Sequence, residues 1–171
     1  MSVAERSPEA AFPKRPRAFD TIVLGGLVVA LLDGLFAFTY YGLILGVNAL
    51  RIFQSVAAGL LGANSFSGGV KTFVLGLLLH VVVACCIATV YYLVSTKLSF
   101  LVDHAVSSGL IYGMIAYLVM KFVVTPLSAI GRRPVPRMSI FLTEILGHAF
   151  LVGLPIALLA RRSAIASQSN E

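Results

Sequence analysis

The sequence predicts an all-α membrane protein: four transmembrane helices in an antiparallel bundle, with a short interfacial or re-entrant helix between the first and second spans. Two observations carry this. The 171 residues are 58% hydrophobic and only 12% charged, whereas a soluble domain is about 45–50% apolar and about 25% charged. Mean hydropathy is +0.95, and the apolar residues gather into four runs long enough to cross about 30 Å of hydrocarbon at about 1.5 Å per residue.

Residues 1–20 are polar, Pro-broken and basic through Lys14, Arg15 and Arg17, which reads as a disordered tail. The apolar run that follows is too long for a signal-peptide core of about 7–15 residues, so it is expected to stay as the first span, residues 21–46. The other spans are expected at 72–94, 104–124 and 140–160. Together they make a transmembrane domain over 21–162 with a disordered tail over 163–171. Backbone groups in lipid must be bonded within their own segment, so these runs are helices.

The connection 47–71 is too short and too polar to cross. Arg51, Gln54, Asn64 and Ser65 interrupt it, and Gly59, Gly62, Gly68 and Gly69 weaken it as a helix. Its first part, 50–61, still has Ile52, Phe53, Val56 and Leu60 at helical spacing, which predicts a short helix lying at the interface or dipping back as a re-entrant turn.

The formal charge of +6 is spread in clusters between apolar runs and builds no basic face for nucleic acid. The bilayer and its anionic headgroups are the expected partners. With a cytoplasmic N-terminus, Arg6, Lys14, Arg15, Arg17, Lys97, Arg161 and Arg162 fall inside, against Arg51, Lys71, Lys121, Arg132, Arg133 and Arg137 outside. The cluster flanking the first helix tips this near balance toward both termini inside.

Small residues mark the helix faces expected to pack. Gly42 with Gly46, and Gly109 with Gly113, are spaced for close backbone approach. One stripe runs through Gly26, Ala30, Asp33, Ala37 and Tyr41, another through Thr72, Gly76, His80, Ala84 and Ala88. Such glycine-rich faces could also dock a second copy or a membrane partner. Pro155 removes one backbone bond and frees the Leu151 carbonyl, which predicts a kink in the fourth helix. Cys85 and Cys86, adjacent and unable to pair without strain, read as small buried apolar residues.

Ionisable side chains within the spans are the candidates for function. Asp33, His80 and His148 all fall within about 5 Å of the midplane at 1.5 Å per residue, and Glu144 stacks one turn from His148 on the same helix face. All four are expected to converge on one polar cluster. Two readings follow from it: interhelical hydrogen bonds that fix which helices are neighbours, or a path for protons, a cation or a small solute. Arg51 and Gln54 mark the connecting segment as an outer-side lid.

His104, beside Asp103 at a helix end, reads as interfacial. Tyr40, Tyr41, Tyr91 and Tyr92 read as the aromatic belt, and Lys121 as a side chain extending its stem to the interface. No cofactor is required. Two histidines at similar depth could ligate a haem axially, although their flanks are Leu and Val. The chain has no phosphate-cradling loop, nucleophile elbow, His-Glu-x-x-His or paired Cys-x-x-Cys, so no enzymatic activity and no metal site are expected.

The runs RIFQSVAAGLLG (residues 51–62), GLLLHVVVA (76–84), AYLVMKFVVTPLSA (116–129) and GHAFLVGLPIALLARR (147–162) resemble a group of small bacterial four-helix membrane proteins. More distantly, the chain is similar to the YagU-type inner-membrane family, through its second-helix histidine and a Glu-x-x-Gly-His pattern met by Glu144, Gly147 and His148. The resemblance implies a bacterial inner-membrane location, and the second likeness hints at acid tolerance. Two hairpins, each with a mid-membrane histidine before an Ile-Ala pair (Ile87–Ala88 and Ile156–Ala157), suggest a duplicated two-helix unit. The functional expectations are a small transport or proton-responsive protein, a structural or accessory subunit of a membrane complex, or a haem-binding electron carrier.

Overall fold

Each apolar run becomes one continuous helix. In the computed structural model, which describes residues 15–168, α1 spans Phe19–Ile44, α2 Ala49–Leu61, α3 Gly69–Ser95, α4 Phe100–Asp103, α5 Ala105–Leu127 and α6 Met138–Ser167. α1, α3, α5 and α6 are long and apolar enough to cross a membrane. The protein is therefore an all-α, multi-pass membrane protein. Many large apolar side chains face outward, among them Leu31, Leu78, Ile111 and Phe150, which suits a surface bathed in lipid.

The Arg17 amide donates to Ser163 Oγ at 3.0 Å, which puts the start of α1 beside the end of α6. Residues 19–20 and 163–167, expected to lie in the tails, are helical. Helix α1 begins at Phe19, and α6 continues through Ser167 with Ser163 and Ala164 buried. Ser163 escapes the need for water by donating back to the Ala160 carbonyl, so the polar end of α6 stays helical. Residues 1–14 and 169–171 lie outside the described residues.

The terminal end of the bundle is close-packed. Val29, Ala84, Ala88, Tyr91, Ile156, Ala157 and Ala160 form its buried core, where alanines let the backbones approach. Gly109 and Gly113 on α5 face Gly153 on α6, and a Cβ at Gly153 would collide with the Gly109 carbonyl oxygen. That glycine face is consumed inside the bundle. Gly42 and Gly46 do not form a packing face: Gly42 has only ordinary contacts, and Gly46, at φ +69°, ends α1 with nothing beside it.

Tyr91 corrects the aromatic-belt expectation. It is fully buried, and its hydroxyl lies 3.1 Å from the Leu101 carbonyl and 3.2 Å from Ser108 Oγ. Its phenol fastens α3 to α4 and α5. His104 is exposed, as expected of an interfacial residue, and stacks on Phe100. Cys85 is half-buried against Gly26, whereas Cys86 is exposed on the outer face of α3.

Prolines leave a specific mark on α5 and α6. Met120–Val124 and Ala149–Gly153 are π-helical, and the closing amides, Thr125 to Met120 O and Leu154 to Ala149 O, each belong to the residue before a proline. A proline ring crowds the carbonyl four residues back, and widening the turn by one residue relieves that clash. A bulge thus lies at the disruption expected from Pro155 and a second precedes Pro126, while Phe19–Leu24 and Phe38–Ile44 of α1 are π-helical without a proline of their own. Thr125 Oγ1 also donates to the Met120 carbonyl at 2.8 Å.

Helix α2 does not float at the surface. Asn48 caps it through Leu50 N at 2.9 Å, and it lies against α3 so closely that a Cβ at Gly76 would strike the Phe53 carbonyl. The Phe53 ring reaches His80, 5.7 Å between centroids. His80 lies eleven residues into α3, about 16 Å at 1.5 Å per residue. Helix α2 therefore packs along the face of α3 that carries Gly76 and His80.

Candidate functional site

The end of the bundle opposite the chain termini is open. There the helices enclose a cavity of about 540 Å³, and Asp33, His80, Glu144 and His148 all line it. The inward stripes explain the convergence. Asp33 follows Ala30 on the buried face of α1, and His80 lies between Gly76 and Ala84 on the buried face of α3.

The floor is held by backbone carbonyls. His80 Nε2 is 3.0 Å from the Ala30 carbonyl oxygen and 4.0 Å from Asp33 Oδ2. A carbonyl only accepts, so Nε2 carries the hydrogen and Nδ1 is left as the basic nitrogen. On α6, His148 Nδ1 donates to the Glu144 carbonyl at 2.9 Å, which leaves its Nε2 basic. Each imidazole is therefore oriented through one of its ring nitrogens. His80 and Asp33 are 14% and 19% exposed, so both are partly desolvated yet reachable from the cavity.

Glu144 is clasped from two other helices. Tyr41 on α1 donates to its Oε1, and Tyr117 on α5 donates to its Oε2 at 2.5 Å. Tyr117 also leans on the His148 ring, 5.1 Å between centroids. The aromatic-belt reading put Tyr41 at the interface, because a tyrosine near a helix end looks interfacial in sequence, and Tyr117 was not singled out. The available signal was periodicity: Tyr41 lies on the Asp33 stripe, and Tyr117 continues Gly109 and Gly113 at intervals of four.

Three cations belong to the cavity: Arg51 on α2, Lys121 on α5 and Arg133 in the α5–α6 connection. Against them stand two carboxylates, Asp33 and Glu144. Arg51 lies over the Phe66 ring at 5.9 Å. Lys121, in the π-helical stretch Met120–Val124, is half-buried among the lining residues. Among the described residues, these three cations make no ion pair within 4 Å that would satisfy their charge.

The two residues expected to mark an outer lid part company. Arg51 faces the cavity, but Gln54 is buried away from it and donates to the Gly69 carbonyl at 3.0 Å and to Thr72 Oγ1 at 3.2 Å. Gln54 is a clamp between α2 and α3. Ser65 Oγ, donating to the Gln54 carbonyl at 2.5 Å, completes it. The far end of α2 is tied by the Ala129 amide, which donates to the Gly59 carbonyl at 2.8 Å. Helix α2 is thus fixed across the cavity mouth at both of its neighbours.

Among the described residues no group of three His, Cys, Asp or Glu side chains is placed to hold a metal ion. Comparison with protein-family models, with characterised proteins and with solved structures finds no match.

Proposed function

We propose that this chain is a small transport or proton-responsive protein of the bacterial inner membrane, with both termini cytoplasmic, in which Asp33, His80, Glu144 and His148 relay protons. The observation that carries the reading is their meeting around one cavity of about 540 Å³. Two imidazoles, each held through one ring nitrogen by a backbone carbonyl, stand among the lining groups. A carboxylate beside His80 gives the proton a neighbour to pass to. The close-packed core beneath the cavity would bar a continuous water file, so transfer to the other side requires the core to loosen. The inner-membrane placement follows the resemblance of four sequence blocks to small bacterial membrane proteins.

The test is proton flux into proteoliposomes of the purified chain, followed with a trapped pH-sensitive dye under an imposed potential. His80→Ala and Asp33→Asn are expected to abolish a flux that wild type shows. Equal flux in wild type and both variants would remove the proposal.

A structural or accessory role is the second reading, favoured by the full hydrogen bonding of the Glu144 carboxylate. On that reading Tyr41, Tyr117 and Glu144 would hold the bundle for a partner, and the same substitutions would change assembly in detergent and leave flux unaltered. A haem carrier is the third; it is tested by the absorbance of the purified protein after haem supplementation, where the lack of a Soret band would dispose of it.

A further inference from the structure

The polar cavity has an apolar neighbour. Between α1 and α3, on the outer surface of the bundle, lies a groove of about 410 Å³ walled by Leu27, Leu31, Leu35, Phe38, Leu77 and Val81. Its floor is Phe53 and His80, and both residues also line the polar cavity. The groove exists because Gly34 offers no side chain there: a Cβ on it would come only to 3.6 Å from His80 Nε2 and 3.7 Å from Phe53 Cζ. Phe53 and His80 therefore border both a lipid-facing slot and a chamber holding Arg51, Lys121 and Arg133, so the two spaces adjoin.

We infer that cavity and groove together bind one amphiphilic anion drawn from the surrounding bilayer, a single-chain lipid with a carboxylate or phosphate head. The inference rests on the reading of the cavity as a functional pathway and names what occupies it. The acid head lies with the three cations, whose charge exceeds that of the two lining carboxylates, and the acyl chain lies in the groove. Arginine suits such a head, since its planar fork matches carboxylate and phosphate oxygens alike. A wholly water-soluble anion would have no use for the apolar slot, and a neutral lipid would leave the cations uncompensated. Head and chain are thus demanded by two separate features that meet at Phe53 and His80.

His80 gains a place in this scheme. Its ring borders both compartments, and protonation at Nδ1 would add positive charge at the junction where the head meets the chain.

The experiment is equilibrium binding of radiolabelled palmitate to the purified full chain in a non-ionic detergent, with flux measured separately in fatty-acid-free proteoliposomes. Saturable binding is expected, displaced by unlabelled palmitate and lysophosphatidic acid. Butyrate, inorganic phosphate and palmityl alcohol should compete at least about a hundredfold more weakly. Arg51→Gln combined with Arg133→Gln should weaken palmitate binding by about tenfold or more. Gly34→Leu, which fills the slot, should do the same, and Leu31→Asn on the exposed groove wall provides an independent change if the glycine variant does not fold. Non-saturable binding, equal competition by butyrate and palmitate, or unchanged affinity in the folded groove and arginine variants would overturn the inference. Wild type that conducts protons but does not retain palmitate removes this inference alone. Wild type that retains palmitate specifically but conducts no protons supports the ligand site and removes the relay.

Discussion

The phenol of Tyr41 on the first span donates to the carboxylate of Glu144 on the last, and Tyr117 on α5 occupies the other carboxylate oxygen. Three helices are joined through one side chain. Removing a hydroxyl leaves a carboxylate oxygen short of a donor in a partly dry site, which costs about 1–3 kcal/mol in soluble proteins. Membrane proteins lose less, about 0.6 kcal/mol on average, because the unfolded chain in lipid finds other partners. Tyr117→Phe is therefore expected to lower stability by about 1 kcal/mol, read by denaturant titration in micelles. Tyr41→Phe and Tyr117→Phe together should cost more than the sum of the two singly, since the second leaves the carboxylate with no donor. Strict additivity would show that the two bonds act independently.

Glycines discriminate sharply between positions. A Cβ at Gly153 would collide with the backbone of α5 at Gly109 and Gly113, and one at Gly113 would collide with the His148 carbonyl. Backbone cannot step aside as a flexible side chain can, so the cost should exceed the usual overpacking range of about 1–3 kcal/mol. Gly153→Ala and Gly113→Ala are expected to cause loss of the monodisperse species on size-exclusion chromatography. Gly42→Ala, with only ordinary contacts near Ile52 and Phe38, should elute as wild type. Wild-type behaviour of Gly153→Ala would mean that α5 and α6 lie further apart than described here.

Much of this was legible in the residues. Hydropathy alone locates four spans, the first three to within three residues at both ends, because lipid leaves the backbone no choice but helix; only the polar end of the fourth, through Ser167, ran past its expected limit. The inward stripes of α1 and α3 likewise foretold that Asp33 and His80 would meet, since small residues mark the faces where helices touch. What escaped was whatever depends on a partner chosen in space. Tyr91 and Tyr41 look alike in sequence, both near helix ends, yet one fastens the closed end and the other clasps Glu144. Gln54 and Arg51 lie three apart on one helix, but one clamps α3 and the other faces the cavity.

The two cavity histidines stand in different sequence register to the core, and the bulge accommodates the difference. His80 precedes Ile87 by seven residues and His148 precedes Ile156 by eight, a mismatch in a plain helix. The π-helical stretch Ala149–Gly153 lies between His148 and Ile156 and takes up one residue. Both histidines consequently face the cavity while Ala88 and Ala157 both enter the core. Periodicity could not have shown this, because a bulge shifts phase without altering composition.

The closed end makes its own prediction. Tyr91 is fully buried, and its hydroxyl touches the Leu101 carbonyl and Ser108 Oγ. Tyr91→Phe keeps the ring edge-to-face with Tyr112, 5.0 Å between centroids, and removes only the hydrogen bonds. Ser108 Oγ still donates to Leu101, so the loss should be modest, about 1 kcal/mol. Amide hydrogen exchange is expected to accelerate in α4 and the first turns of α5 and to stay unchanged around Glu144. Faster exchange at both ends would show that the two halves open as one unit.

Sidedness can be read chemically. Ser55 and Arg133 line the cavity at the end opposite the termini, whereas Cys86 faces outward from α3. Replacing both native cysteines with alanine should be tolerated, because Cys86 is exposed and Cys85 only half-buried, and it leaves a background without thiols. In that background Ser55→Cys, nearly isosteric, places a thiol at the cavity wall. If both termini are cytoplasmic, an added membrane-impermeant maleimide should label Ser55→Cys in intact cells, and an Arg162→Cys control only after lysis. Leu31→Cys, on the lipid-facing wall of the groove, should resist the reagent in both preparations, since a thiol in hydrocarbon is neither hydrated nor ionised. The reverse pattern, Arg162→Cys labelled in intact cells and Ser55→Cys protected, would invert the orientation and open the cavity to the cytoplasm. Labelling of Leu31→Cys as fast as Ser55→Cys would show that water, not lipid, fills the groove, and the acyl chain would lose its berth.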